Sequence, residues 1–362
     1  RCILQYFMIK INMLIAIFGQ KLLLFRHGLR SILKNKRSWI DLMNLAIFIF
    51  ILFPSILFIV LIFSASYILE SWKKISRIGK RSPLKGYKLW RNPGESLRGQ
   101  IDDSTAEIMT FIAAIPISIL AYTPFYYSQF FALTKGKPVG LNFYLALTLN
   151  SALIIYCIWR IIRTWSEKHN YLLGLDGETF VGQQLNHLML LGCRVFHDFG
   201  TAKQGNIDHI VVSPTGVFVI ETKGKYKPDK KRGKADAKVI YDGKKLKFSD
   251  VFETDHPIQQ AKELAITLSK ELSGSIGKKI PVTPVVALPG WWVELKAPLS
   301  DVKIYNGKLV EDTGLFDAEK VKKNFFFQTN PGKGCLPQDL FQAIVRRLDE
   351  KCRNVDPKAY TK

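Results

Sequence analysis

Residues 206–223 read NIDHIVVSPTGVFVIETK. Two β-rich runs, Asn206–Val212 and Gly216–Thr222, flank Ser213-Pro-Thr-Gly216, a strong turn signal, so the stretch reads as a β-hairpin. Asp208 stands at the head of the first strand. Glu221 and Lys223 stand near the end of the second, two residues apart, so in an extended chain their side chains share a face. Antiparallel pairing across the turn brings Asp208 near Glu221. Two carboxylates converging in this way suit a hard divalent cation, Mg²⁺ or Mn²⁺, which takes one or two carboxylates and keeps waters. A lysine beside them can orient or deprotonate a metal-activated water, or stabilise charge developing on a phosphodiester.

Outward from the hairpin the chain reads as mixed α/β. Gly177–Leu191 has helical apolar spacing, with Glu178 in its first turn, where an acid stabilises a helix dipole. Cys193–Phe199 is a short strand. Lys238–Tyr241 and Lys244–Phe248 flank Asp242-Gly243, a second hairpin. Pro257–Leu272 is a helix with proline at its start, where a missing N–H is harmless. Val282–Leu288 and Val302–Tyr305 are strands, and Gln338–Arg353 is an amphipathic helix. His209 points away from Asp208 in a regular strand and is expected to be structural. His187 and His197 lack metal-ligand spacing.

The stretch from Gly177-Glu178 through Asn206-Ile-Asp208-His209, Ser213-Pro-Thr-Gly216, Val217-Phe-Val-Ile220 and Glu221-Thr-Lys223 resembles the nuclease-related domain, a branch of the PD-(D/E)XK nuclease superfamily. The resemblance implies a restriction-endonuclease-like core. It also implies Glu178, Asp208, Glu221 and Lys223 as a catalytic set, with Asp208, Glu221 and Glu178 on a metal. In related domains a Gln on the following helix completes the site; His256-Pro-Ile-Gln-Gln260 resembles that element, with His where Asn is commoner, and points to Gln260. The implied activity is metal-dependent hydrolysis of phosphodiester bonds in DNA or RNA.

The chain carries 52 Lys and Arg against 30 Asp and Glu, a formal net charge of +22. Such a balance suggests phosphate-bearing partners, nucleic acid or anionic lipid. Eleven of the basic residues fall between Thr222 and Lys247, beside three aspartates. Lys225, Lys227, Lys230, Lys231 and Arg232 in this strip are candidates for sequence-independent contacts to a nucleic-acid backbone; a flexible, solvated loop is the plainer reading. The five cysteines (Cys2, Cys157, Cys193, Cys335 and Cys352) are scattered and form no CxxC, which argues against a zinc ribbon or a disulfide framework.

Three runs, 42–69, 108–134 and 138–159, contain no charged residue, and each is long enough to cross a bilayer core as a helix. The last two, separated by Thr134-Lys-Gly-Lys-Pro138, read as a transmembrane hairpin. Pro54 divides the first, which favours a re-entrant hairpin there. The basic segment 70–106 and the return marked by Arg160, Arg163 and Lys168 place everything after about residue 165 in the cytoplasm by the positive-inside rule. The expected organisation is a membrane-anchoring region over 1–165, a nuclease-like domain over 171–325 and a C-terminal helical extension over 326–362. The expected setting is a bacterial inner membrane with the domain facing the cytoplasm and membrane lipid as a partner. Two competing readings are a membrane-tethered module that binds nucleic acid without cutting it, and a channel or transporter with a regulatory tail. The second is disfavoured because no charge lies inside the apolar runs.

Overall fold

The computed structural model describes residue 84 and residues 86–201, 205–227, 237–249, 253–296, 301–305, 326–327 and 335–356. The expected re-entrant hairpin at 42–69 lies outside them. By contact the chain divides into two compact units, one holding residues 111–159 and the other 81–110 and 160–362.

The main sheet belongs to the second unit. It contains β2 (Arg194–Gly200), β3 (Asn206–Ser213), β4 (Gly216–Thr222), β8 (Val282–Ala287) and β10 (Lys303–Tyr305) in the order β10-β8-β4-β3-β2. The hairpin read from the sequence is present: β3 pairs antiparallel with β4, from His209 opposite Ile220 to Ser213 opposite Gly216. The turn is tied by Ser213 Oγ, which accepts the Thr215 N–H at 3.1 Å. β4 then pairs in parallel with β8, a connection that needs a crossover helix. That helix is α3 (His256–Ile276).

Both faces of the central strands are buried, so these strands are apolar on both sides rather than alternating. On β4, Val217 and Val219 face one core with Leu264, Leu268 and Leu272 of α3 and Ile344, Leu348 and Cys352 of α4 (Gln338–Cys352). Phe218 and Ile220 face the other, with Val181, Leu185 and Leu188. Each such side chain, fully buried, contributes about 1.5–3 kcal/mol. A smaller sheet holds β5 (Lys238–Tyr241), β6 (Leu246–Phe248), β7 (Glu253–Thr254) and β9 (Trp292–Leu295), in the order β7-β6-β5-β9. A two-stranded ribbon pairs β1 (Leu89–Trp90) with β11 (Arg353–Val355).

Two long helices complete the described elements. α1 spans Glu95–Thr134 and α2 spans Leu141–Asn186, with a short 3₁₀ turn, His187–Leu191, after it. Both are long and apolar enough to cross a membrane, and only about a tenth of each apolar window is buried in the protein.

One expectation changes here: no helix starts at Gly177. Glu178 lies far along α2, so dipole stabilisation in a first turn does not explain it. Glycine inside a helix costs only about 1 kcal/mol, and the chain passes through Gly174 and Gly177 unbroken. A Cβ at Gly177 would meet Pro289, Gly224 and Thr222 at 3.4–3.6 Å, ordinary van der Waals contact, so α2 runs past the sheet here without steric demand for glycine. β1 and the first turns of α1 fall in the same compact unit as the main sheet.

Candidate active site

The hairpin register decides the first contact. With His209 opposite Ile220, the next pair outward is Asp208 and Glu221. Asp208 Oδ2 accepts the Thr222 N–H at 2.6 Å. Glu221 shares the face of Val217 and Val219, as two-residue periodicity requires, and is 2 % exposed. Lys223 follows on the same face, and its Nζ lies 2.8 Å from Glu221 Oε1. Its own backbone N–H is held by the Ala287 carbonyl of β8. The second carboxylate oxygen, Glu221 Oε2, is buried and has no hydrogen-bond partner.

Glu178 comes from α2, 8 % exposed, and receives the Gly94 N–H. The three carboxylates feel one another. Burial pushes Glu178 up from 4.5 to about 8, with the charges of Asp198 and Glu221 adding to it. Burial likewise raises Asp208 well above its usual range, reinforced by Glu221 and Glu178. Glu221 is raised by burial and partly relieved by Lys223 and by His256 at the start of α3. Such a cluster favours bound protons or a bound cation at neutral pH.

The structure therefore brings Glu178, Asp208, Glu221 and Lys223 together. Gln260 sits half-buried one turn past His256 on α3, and no hydrogen bond joins it to the four. Lys225 places its Nζ 4.2 Å above the Phe248 ring, and Lys227 is exposed. Lys230, Lys231 and Arg232 lie outside the described residues. No three His, Cys, Asp or Glu side chains form a ready metal cage among the described residues.

Two features escape the sequence reading. His209 and His197 are buried and meet Nδ1 to Nδ1 at 2.9 Å, with His197 Nε2 3.0 Å from Asn186 Oδ1. Burial lowers His197 to about 4 and His209 well below its usual value, so the pair is neutral and structural. Asp198 is the other. It is 1 % exposed, has a positive φ of 50°, and gathers four donors. A buried acid in the apolar strand RVFHDFG was the available signal, because an aspartate is rarely buried without partners. A cavity of about 520 Å³ lies on the β2 side, lined by Trp90, Arg91, Pro93, His197 and Asp349 among others. Its lining includes none of the four residues above.

The fold and the cluster define a mixed α/β domain with acids from three elements and one lysine gathered at the end of the central hairpin. Residues 173–289 match the model of the nuclease-related domain family. No curated protein and no solved structure matches the chain. The matched span runs from α2 to the end of β8 and contains all four residues.

Proposed function

We propose that this protein is a membrane-anchored, metal-dependent nuclease that hydrolyses phosphodiester bonds in DNA at the cytoplasmic face of the membrane. One observation carries the reading: the Glu221 carboxylate is buried with one oxygen on Lys223 and the other unpartnered, opposite Asp208. An unsatisfied buried carboxylate oxygen is costly unless a ligand completes it.

A divalent cation fits this donor set. Mg²⁺ takes one or two carboxylates with waters and substrate phosphate, so an all-protein cage is unnecessary. Asp208 and Glu221 would hold it, and Glu178 would support it or its waters. Bound there, the cation supplies Lewis-acid stabilisation of the phosphate and a water more easily deprotonated. The remaining work belongs to the protein. Lys223, held by Glu221, points its ammonium to orient the attacking water or to offset negative charge on the phosphate. The Thr222 N–H fixes the Asp208 carboxylate. Lysines after Lys223 attract the polyanion without reading its sequence.

The anchor reading rests on α1 and α2, whose apolar windows are largely exposed. A helix apolar all round is either buried or in lipid.

The test is cleavage of plasmid and single-stranded DNA by the full chain in detergent, with Mg²⁺ or Mn²⁺. Asp208→Ala and Glu221→Ala are each expected to reduce cleavage at least about 100-fold while DNA binding persists, the scale of losing an electrostatic catalytic group. Equal behaviour of wild type and variants, with binding intact, would replace this reading by a non-catalytic nucleic-acid-binding module.

A further inference from the structure

The segment Arg91-Asn-Pro-Gly-Glu-Ser96 lies some eighty residues ahead of the matched domain, yet it reaches the Glu178 carboxylate. Gly94, at φ +67°, gives its N–H to the Glu178 carboxylate. A Cβ at Gly94 would stand 2.5 Å from Leu175 Cδ1, and one at Gly182 would stand 2.5 Å from Pro93. Leu175, Glu178 and Gly182 are spaced along one face of α2, so the strap seats on that face through two glycine-dependent approaches.

Asp198 holds the strap from the sheet side. Its Oδ2 accepts the Ser96 N–H at 2.8 Å and lies 3.1 Å from Arg91 Nη1. Its Oδ1 accepts Ser96 Oγ at 2.7 Å and Asn206 Nδ2 at 3.0 Å. The Asp198 carbonyl also takes Arg91 Nη1 at 2.9 Å. The first N–H groups of a helix have no intrahelical acceptor; here a carboxylate from β2 supplies one to α1. An acid in this place compensates both the helix end and Arg91.

We propose that Asp198 is a positioning residue for the acid cluster: it pins the 91–96 strap on α2, and the strap fixes the Glu178 carboxylate through the Gly94 N–H. The proposal rests on the nuclease reading for its chemistry. It also makes the domain matched by the family incomplete by itself, because one donor to Glu178 comes from Gly94, the residue before α1.

The experiment uses the full chain in detergent, with Ser96→Ala and Asp198→Asn as disrupting variants and Ser96→Thr as the conservative one. Three quantities are read: kcat and KM on plasmid, Mn²⁺ affinity from the resonance of free Mn²⁺, and the melting temperature. Leu268→Ala, far along α3, serves as a variant that is destabilised without touching the strap. Loss of a group that orients a metal-site ligand costs roughly 10–100-fold. Ser96→Ala and Asp198→Asn are therefore expected to lower kcat and Mn²⁺ affinity about ten-fold with KM unchanged, and Ser96→Thr to restore both. Ser96→Ala is the milder change and answers the question even where Asp198→Asn does not fold. Folded Ser96→Ala protein with wild-type kcat and Mn²⁺ affinity overturns the proposal, as does an equal loss in Leu268→Ala. If the wild type cuts no DNA with either metal, the nuclease reading fails separately, and the Mn²⁺ titration alone decides the strap.

Discussion

At the scale of single residues, the site is a problem in placing negative charge. Three carboxylates share a buried region with one lysine, and their protonation governs both stability and metal uptake. Glu178 is the most explicit case. Its folded value, about 8, lies above its ordinary 4.5, so the folded form holds a proton that the unfolded chain releases. Stability from this group is complete below about 4.5 and is lost as pH rises towards about 8. The metal-free protein should therefore show a melting temperature that falls across that window. Mg²⁺ should restore it most at the alkaline end, where it replaces the missing protons. Glu178→Gln should flatten the profile. A melting curve independent of pH between 5 and 8 in metal-free wild type would contradict this account. Cleavage should run the other way and rise with pH, because cation binding needs the carboxylates ionised.

Elements set where those residues stand. The β3–β4 hairpin aligns Asp208 with Glu221 by register alone, and α3, which crosses from the smaller sheet to β8, backs the face that carries Glu221. Leu268 on α3 is fully buried in that core. Leu268→Ala should cost about 2–5 kcal/mol in denaturant titration, the usual range for a core leucine truncation. The α2 helix is held at a distance only glycine permits. Gly182→Ala would drive a methyl to 2.5 Å from Pro93 and 3.3 Å from the His209 ring. Overpacking of this kind costs about 1–3 kcal/mol, and it should also loosen the strap. The measurable signature is a lowered melting temperature together with weakened Mn²⁺ binding. Alanine is otherwise the better helix former, so a stabilised Gly182→Ala protein would refute the contact.

For the whole molecule, the question is what the long helices do. α1 and α2 present large apolar side chains outward, among them Ile112, Phe130, Leu149 and Ile155, all more than 40 % exposed. Soluble monomers rarely expose large apolar patches, which is the ground for the proposed anchor. The chain is expected to stay with the membrane fraction through alkaline carbonate washing, and to leave it only with detergent. Protease added to sealed, right-side-out vesicles should spare residues 170–362; cleavage there would reverse the orientation. The basic strip after Lys223 predicts salt-sensitive DNA binding. Affinity should fall steeply between about 50 and 200 mM salt, as release of counterions requires. A flat salt response would remove the strip from the interface.

The sequence by itself determined the hairpin, the succession of the main strands along the chain and the grouping of Asp208, Glu221 and Lys223, because two-residue periodicity and a strong turn leave little freedom in a register. It also determined which helices are apolar enough for a bilayer, because that depends on composition over some twenty residues. Helix extent was not legible. The expected start at Gly177 and the passage of α2 from Leu141 to Asn186 differ because a glycine inside a helix costs only about 1 kcal/mol, too little to end one. Asp198 and the strap were hidden for a related reason. Arg91, Gly94 and Ser96 are a hundred residues from β2 in the chain, and nothing local marks which carboxylate will accept their donors. Only the folding of the chain brings them to Asp198 and Glu178, so this support of the candidate site is a property of the tertiary structure.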